Sequence, residues 1–320
     1  MIHARLSALL VAAGLMAPLG AASAADTVRF GTDTYISGAQ VWVAKDKGLF
    51  EKNGVDAQLV NFATGVESLD SVLTGRTDFA IALDFPTTLR MQSGQLKMVA
   101  AVFASTPGFH KFIAGEAVKT GADLKGKRIG IAKGTAQHLA TVKYLEKYGI
   151  GPNDATLTSF QTLIEMVAAL KAERLDGAFL WADGVQKALE IPGMRILTDD
   201  REANLNQSGY VSVSKRFAEA NPKAVENTLK ALAEATDFIK ANPEESAKIV
   251  AAHNKAPLDA AAKVLAQQNF TVSLTKANAD AYAVIAAFAS DVIKSPVSFQ
   301  TAVDARYLKA AVPGAVTLGE

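Results

Sequence analysis

IGIAKGTAQHLATVKYLEKYG, Ile129 to Gly149, is the stretch on which the fold turns. Four apolar residues of strand type lead into a small-residue turn at Gly134 and Thr135. An amphipathic helix of about three turns follows and ends at Gly149. A strand, a tight turn and a helix make one half of a β-α-β unit, and the start of such a helix is where a phosphate or another oxyanion is commonly held. The stretch therefore predicts an α/β chain and raises the question of what its turn faces.

The same alternation extends in both directions. Upstream, VRFGT, AQLVNF, DFAIAL and LKMVAAVFA read as strands. They are separated by the helical patterns AQVWVAKDKGLFEKNG, VESLDSVLTGR and PTTLRMQSG, which predicts a parallel, doubly wound sheet. A polar turn, Ser105 to Gly108, interrupts this series. RIGIA, TLTSF, GAFLW and MRILT then alternate with helices as a second series. Past Tyr210–Ser214 the pattern becomes helix after helix. Asn221-Pro222 and Asn242-Pro243 mark two helix starts, and Val225, Leu229, Leu232, Thr236 and Ile239 form one core stripe between them. The predicted division is a leader over 1–24, a first lobe over 25–106 and 214–320, and a second lobe over 107–213. Two crossover segments join the lobes and a cleft lies between them.

Met1 to Ala24 carries Arg5, an apolar run from Leu6 to Leu19 and Ala22-Ser23-Ala24, the layout of a cleavable secretory signal. Arg5 is the one Lys, Arg, Asp or Glu in that segment, so its removal takes the formal net charge from +1 to neutral. A neutral chain without a basic run is not built for nucleic acid or an anionic membrane. With no cysteine, disulfides, thiolate metal sites, a cysteine nucleophile and a lipidated anchor are all excluded. The expectation is an untethered protein of the periplasm.

Catalytic and nucleotide motifs fail on spacing. Gly121 to Arg128 imitates a phosphate loop, yet it lacks the Ser or Thr and precedes its strand. G-x-G-x-x-G and G-x-S-x-G are absent, and the four histidines are scattered, so neither a metal site nor a catalytic residue is expected. In open α/β sheets ligands sit beyond the carboxyl ends of the strands. That rule selects Asp33, Tyr35 and Ser37 after the first strand, Asp84 and Phe85 after FAIAL, and Gly134, Thr135 and Ala136 after IGIA. Trp181 and Asp183 follow GAFL, while Phe109 and Tyr210 stand at the crossings. Thr135 also fits a helix cap, and so do the three aspartates. If the aspartates converge they call for a ligand with a positive or donor-rich end, because three acids around an anion would repel it. Gln137, His138 and Glu165 could add secondary contacts.

Four blocks, in order, carry a family resemblance: KDKGLFEKNGVDAQLVNFATG with LTGRTDFA after it, LKGKRIGIAKGTAQHLATVKYLEKYGI, RLDGAFLW, and FAEANPKAVENTLKALAEATDFIKANPEESAKIVA. Together they resemble the substrate-binding proteins of ABC importers for aliphatic sulfonates, taurine and nitrate, with which the binders of thiamine pyrimidine precursors are grouped. The resemblance implies a type II periplasmic binding protein, two-lobed and monomeric, without a cofactor. It would close on a small molecule and present it to a membrane permease and its ATPase, catalysing nothing. Family pockets use a Gly-Ser or Gly-Thr turn against the oxyanion, which here is Gly134-Thr135. They often carry Trp-Asp-Pro where this chain has Trp181-Ala182-Asp183. The reading points to a taurine-like aminosulfonate, with a cationic or heteroaromatic nitrogen compound as the alternative. Readings of another class are a pyrimidine-synthesis enzyme, disfavoured by the missing cysteines, and a ligand sensor.

Overall fold

The computed structural model describes residues 25–203, 207–290, 293 and 295–319. The expected leader, 1–24, lies outside the described residues. Among the described residues the apolar runs become twelve strands: β1 Asp26–Asp33, β2 Val55–Phe62, β3 Phe79–Leu83, β4 Leu96–Ser105, β5 Lys111–Gly115, β6 Arg128–Ile131, β7 Thr156–Ser159, β8 Gly177–Leu180, β9 Met194–Asp199, β10 Ser208–Ser214, β11 Gln268–Thr275 and β12 Val316–Thr317. They form two sheets, one ordered β12-β11-β4-β10-β3-β1-β2 and one ordered β7-β6-β8-β5-β9.

Both sheets are mixed, where the sequence predicts parallel pairing. β1 runs parallel to β2 and β3, and β6 parallel to β7 and β8; but β10 is antiparallel to β3 and β4, and β5 is antiparallel to β8 and β9. A chain that crosses between lobes must return in the reverse direction, and β5 and β10 are the strands that do so. The second crossing also comes earlier than predicted. Ser208–Ser214 lies between β3 and β4 in the seven-stranded sheet, so the chain has left the five-stranded lobe before Ser208 and not at Ser214. β4, almost wholly buried, has neighbours on both sides, which explains its unbroken apolar run MVAAVF. The first long helical pattern is split into Ala39–Asp46 and Leu49–Lys52, because Gly48 adopts φ 65°.

The crossings are pinned by buried carboxylates. Asp200 accepts from Gly108 N, and from His110 N at 3.0 Å. Asp84 opens the helix Asp84–Met91, where it accepts from Phe85 N at 2.8 Å and from Ser208 N, on the return strand, at 2.8 Å. Ser105 N donates to Gln207 O at 2.8 Å and Thr106 N to Gln267 O at 2.7 Å. An apolar cluster also bridges the lobes. Phe85, with Ile285 and Ala289 of the helix Lys276–Ala289, packs with Phe112, Leu139 and Tyr144 of the five-stranded lobe.

Burial pushes the Asp84 carboxyl up to about 7 from 3.8, against the pull of the backbone N–H groups of Ser208, Phe85 and Asp84 itself. Between those values the unfolded chain has lost a proton that the folded chain keeps. Stability is therefore greatest below about pH 4 as far as this group is concerned, and falls as pH rises through about 7. Urea midpoints between pH 4.5 and about 7.5 should decline less steeply in Asp84→Asn than in the parent, although the variant is weaker at every pH because an amide cannot accept from both Phe85 and Ser208 N–H. Equal slopes would remove Asp84 as the cause. At Gly177 an added Cβ would stand 2.6 Å from the Phe112 ring and 2.9 Å from Ile113 O. Gly177→Ala should therefore lose about 1–3 kcal/mol in the same titration.

Candidate functional site

Strand ends of both sheets meet around a cavity of about 70 Å³. Asp33, Tyr35 and Ser37, beyond β1, form part of its wall on the first lobe, together with Thr64, Gly65 and Val66 beyond β2. The second lobe contributes Thr135 and Ala136 beyond β6 and Trp181 beyond β8, while Ser105, Phe109 and His110 come from the first crossing. The aromatic rings run as a chain across the gap. Tyr35 meets Trp181 edge-on at 5.5 Å, Trp181 meets His110 at 5.7 Å, and His110 meets Phe109 at 5.0 Å.

The polar groups of the cavity fall into two kinds. The first is free backbone N–H. In the helix Ala136–Lys147, His138 N is capped by Thr135 Oγ1 at 3.4 Å, while the N–H groups of Ala136 and Gln137 meet no acceptor among the described residues. In the helix Gly65–Leu73, Glu67 N is capped by Thr64 Oγ1 at 3.3 Å, and the N–H groups of Gly65 and Val66 are likewise free. Two helix starts, one from each lobe, thus border one cavity, and each carries the partial positive charge that favours an anion.

The second kind is a carboxylate. Asp33 accepts from Tyr35 N at 2.9 Å and has no cationic partner among the described residues. Burial pushes its carboxyl up to about 6, offset in part by the nearby Ser37 hydroxyl and the Tyr35 N–H. The Ser37 hydroxyl is itself buried and has no well-formed hydrogen bond. His110 Nδ1 lies 3.1 Å from Asp200 Oδ2 and 3.2 Å from Gln207 Nε2, so the imidazole is held between a carboxylate and an amide.

Of the residues selected from the sequence, Asp33, Tyr35, Ser37, Phe109, Thr135, Ala136 and Trp181 come together here. Five others do not line the cavity, each for a local reason. Asp84 is spent on the backbone of the return strand, and Phe85 is packed into the lobe-spanning cluster. Gly134, at φ 79°, makes the turn, but its N–H goes to His138 Nδ1 at 3.2 Å. Asp183 pairs with Lys187 at 2.6 Å and does not line the cavity, although its charge is near enough to add to burial in raising the Tyr35 hydroxyl pKa. Tyr210 is fully buried against Tyr282 and Phe299 and donates to Asn278 O at 3.3 Å. Among the secondary candidates, the Gln137 side chain ties Ala132, Gly130 and Phe179 together, and Glu165 closes a capping box with Thr162. Thr64, Gly65, Ser105 and His110 were missed as site residues. The strand-end rule applied to the end of β2 would have found the loop at 63–65, whereas Ser105 and His110 enter through the tertiary path of the crossing.

Comparison with known proteins agrees with this architecture. A protein of Brucella abortus (strain 2308), named as a candidate binding protein, is 32% identical over 233 residues, 69% of this chain and 70% of its own. A candidate aliphatic sulfonates-binding protein of Escherichia coli (strain K12) is 25% identical over 213 residues, 65% of this chain and 66% of its own. The alkanesulfonate-binding protein SsuA from Xanthomonas axonopodis pv. citri, solved bound to MOPS, superposes with a TM-score of 0.75 at 24% identity, covering 89% of this chain and 100% of that one. The two-lobed α/β architecture is that of the type II periplasmic binding proteins. The family model described as NMT1/THI5 like matches residues 36–246, and the chain belongs to that family.

Proposed function

We propose that this protein is the solute-binding component of an ABC importer, and that it captures a small organosulfonate in the periplasm and hands it to a membrane permease and its ATPase. The observation that carries the reading is the pairing, in one cavity, of two free helix starts from opposite lobes with a carboxylate that has no cation. The helix starts suit an oxyanion, each by about 0.3–1 kcal/mol and up to about 2 where partly buried. Asp33 suits an ammonium. A ligand carrying both is a zwitterion, and the finer assignment is therefore a short aminosulfonate of the taurine type. The sulfonate would meet Gly65, Val66, Ala136 and Gln137 N–H, and the amine would meet Asp33 with Ser37. The sulfonate-binding relatives support the oxyanion half of this assignment.

Size points the same way. An apolar cavity of about 150 Å³ is enough for benzene, and this one is about 70 Å³. In this arrangement of the lobes the site suits a ligand of few heavy atoms.

A thermal-shift panel of aminosulfonates, alkanesulfonates, nitrate, amines, guanidines and aminopyrimidines, followed by calorimetry, tests the assignment. Ligand at about 100 times its Kd should stabilise the fold by about 2.7 kcal/mol. Taurine should exceed ethanesulfonate at pH 7.5, and its advantage should shrink as pH falls through about 6, where Asp33 takes up its proton. Asp33→Asn should abolish that advantage, weakening taurine by about tenfold or more, since charge-assisted hydrogen bonds are worth about 1.5–3 kcal/mol, and leave ethanesulfonate unharmed. Preference for a simple amine or guanidine over every sulfonate would overturn the oxyanion role of the helix starts. Equal loss of both sulfonates in Asp33→Asn would overturn the amine assignment.

A further inference from the structure

A second concavity lies away from the cleft, between the end of the helix Pro222–Ala241, the helix Pro243–Asn254, the helix Leu258–Ala266 and β11. Its volume is about 320 Å³, several times that of the cleft cavity. Ile239, Ala247, Leu265 and Phe270 make an apolar floor, each at most 6% exposed. Two oppositely charged side chains, Lys240 and Glu244, stand on its rim. Neither has an ion-pair partner among the described residues, and they do not pair with each other, whereas the adjacent Glu245 is held by Lys47 at 2.8 Å. An apolar pocket of this size with a few polar groups at its edge has the composition of a small-molecule site.

We propose that this groove binds a free apolar α-amino acid. An apolar side chain of leucine or phenylalanine size covers the floor, the α-carboxylate meets Lys240, and the α-ammonium meets Glu244. A purely anionic or purely cationic amphiphile would satisfy one rim charge and lie beside the other like charge; the zwitterion satisfies both. The floor is also wired to the lobe crossing. Gln268 Oε1 accepts from Ser105 Oγ at 2.8 Å, and Gln267 O accepts from Thr106 N at 2.7 Å. An occupant pressing on β11 therefore acts on the segment about which the lobes move. The site is independent of the sulfonate assignment and stands or falls separately from it.

Amide NMR of the full chain titrated with L-leucine and L-phenylalanine tests the proposal, with 4-methylpentanoate and 3-methylbutylamine as probes lacking one charge each. The expected result is saturable shifts at Ala266, Asn269 and Phe270 that extend to Ser105 and Thr106. Each one-charge probe should bind about two- to fivefold more weakly, the range of an exposed ion pair. Ala266→Trp, a change on the exposed rim that fills the groove, should abolish the shifts, and Lys240→Glu should weaken leucine by more than the loss of its carboxylate does. Three results would overturn the site: no saturation up to about 10 mM; shifts confined to residues around Asp33 and Trp181; or equal affinity for leucine and the one-charge probes. Shifts in the groove that stop short of Ser105 would overturn its link to the crossing.

Discussion

The whole arrangement depends on how the two crossings satisfy their backbone N–H groups. Where a chain leaves one sheet for another it leaves the hydrogen-bond ladder, and each buried N–H stranded there costs about 1–3 kcal/mol. Two buried carboxylates remove that cost. Asp200 takes the N–H groups of Gly108 and His110 on the outward segment, and Asp84 takes that of Ser208 on the return. These hydrogen bonds hold the crossings in place where their residues are buried. They also set the cleft, because Phe109 and His110 are carried into the cavity by the segment that Asp200 fixes, and β10 is docked against β3 by the one that Asp84 fixes.

What the sequence revealed and what it hid divide along a physical line. Strand ends are legible from apolar runs and the turns after them, and that was enough to bring Asp33, Tyr35, Ser37, Thr135, Ala136 and Trp181 to one place. The sequence does not say which way the first turn of the following helix points. Asp84, Phe85 and Pro86 are consecutive at one strand end, yet the first turns to the backbone of the crossing, the second to the lobe-spanning cluster, and Pro86 alone borders the cavity. Asp183 shows the same limit. Its i+4 neighbour is Lys187, and the carboxylate pairs along its own helix at 2.6 Å. Tyr210 sits beside a crossing in sequence, but it belongs to a central strand whose neighbours on both sides leave its ring no route to the cleft. The mixed direction of the sheets was hidden as well, because antiparallel pairing of β10 with β3 and β4 is fixed by long-range topology and not by local pattern.

The apolar cluster between the lobes has a bearing on closure. Phe85, Ile285 and Ala289 are each nearly or fully buried against the second lobe, and Lys143 Nζ lies 4.2 Å over the Phe288 ring across the same junction. Opening the cleft by a rotation that separates these groups would expose apolar area at about 25 cal/mol per Å². A rotation about the crossings that leaves this cluster intact avoids that loss. A cleft that opened about the crossings with the Phe85 cluster intact would part at the Tyr35–Trp181 contact, where two partly polar rings meet edge-on.

In the proposed assignment Asp33 would set the cavity's selectivity, because it sets a condition on any anion that enters. Two helix starts attract an oxyanion, but an ionised carboxylate in the same small volume opposes it. There are two ways to relieve the conflict. Asp33 can take a proton, which its raised value of about 6 permits below neutrality, or the ligand can bring its own cation to the carboxylate. At neutral pH the second route retains the attraction at both ends, whereas the first carries a protonation cost on top of ligand binding. A site with the helix starts alone would accept any small oxyanion. In the proposed assignment the same site with Asp33 would discriminate between sulfonates by the presence of an amine, and the Ser37 hydroxyl beside it would be a further polar group for that end of the ligand to satisfy.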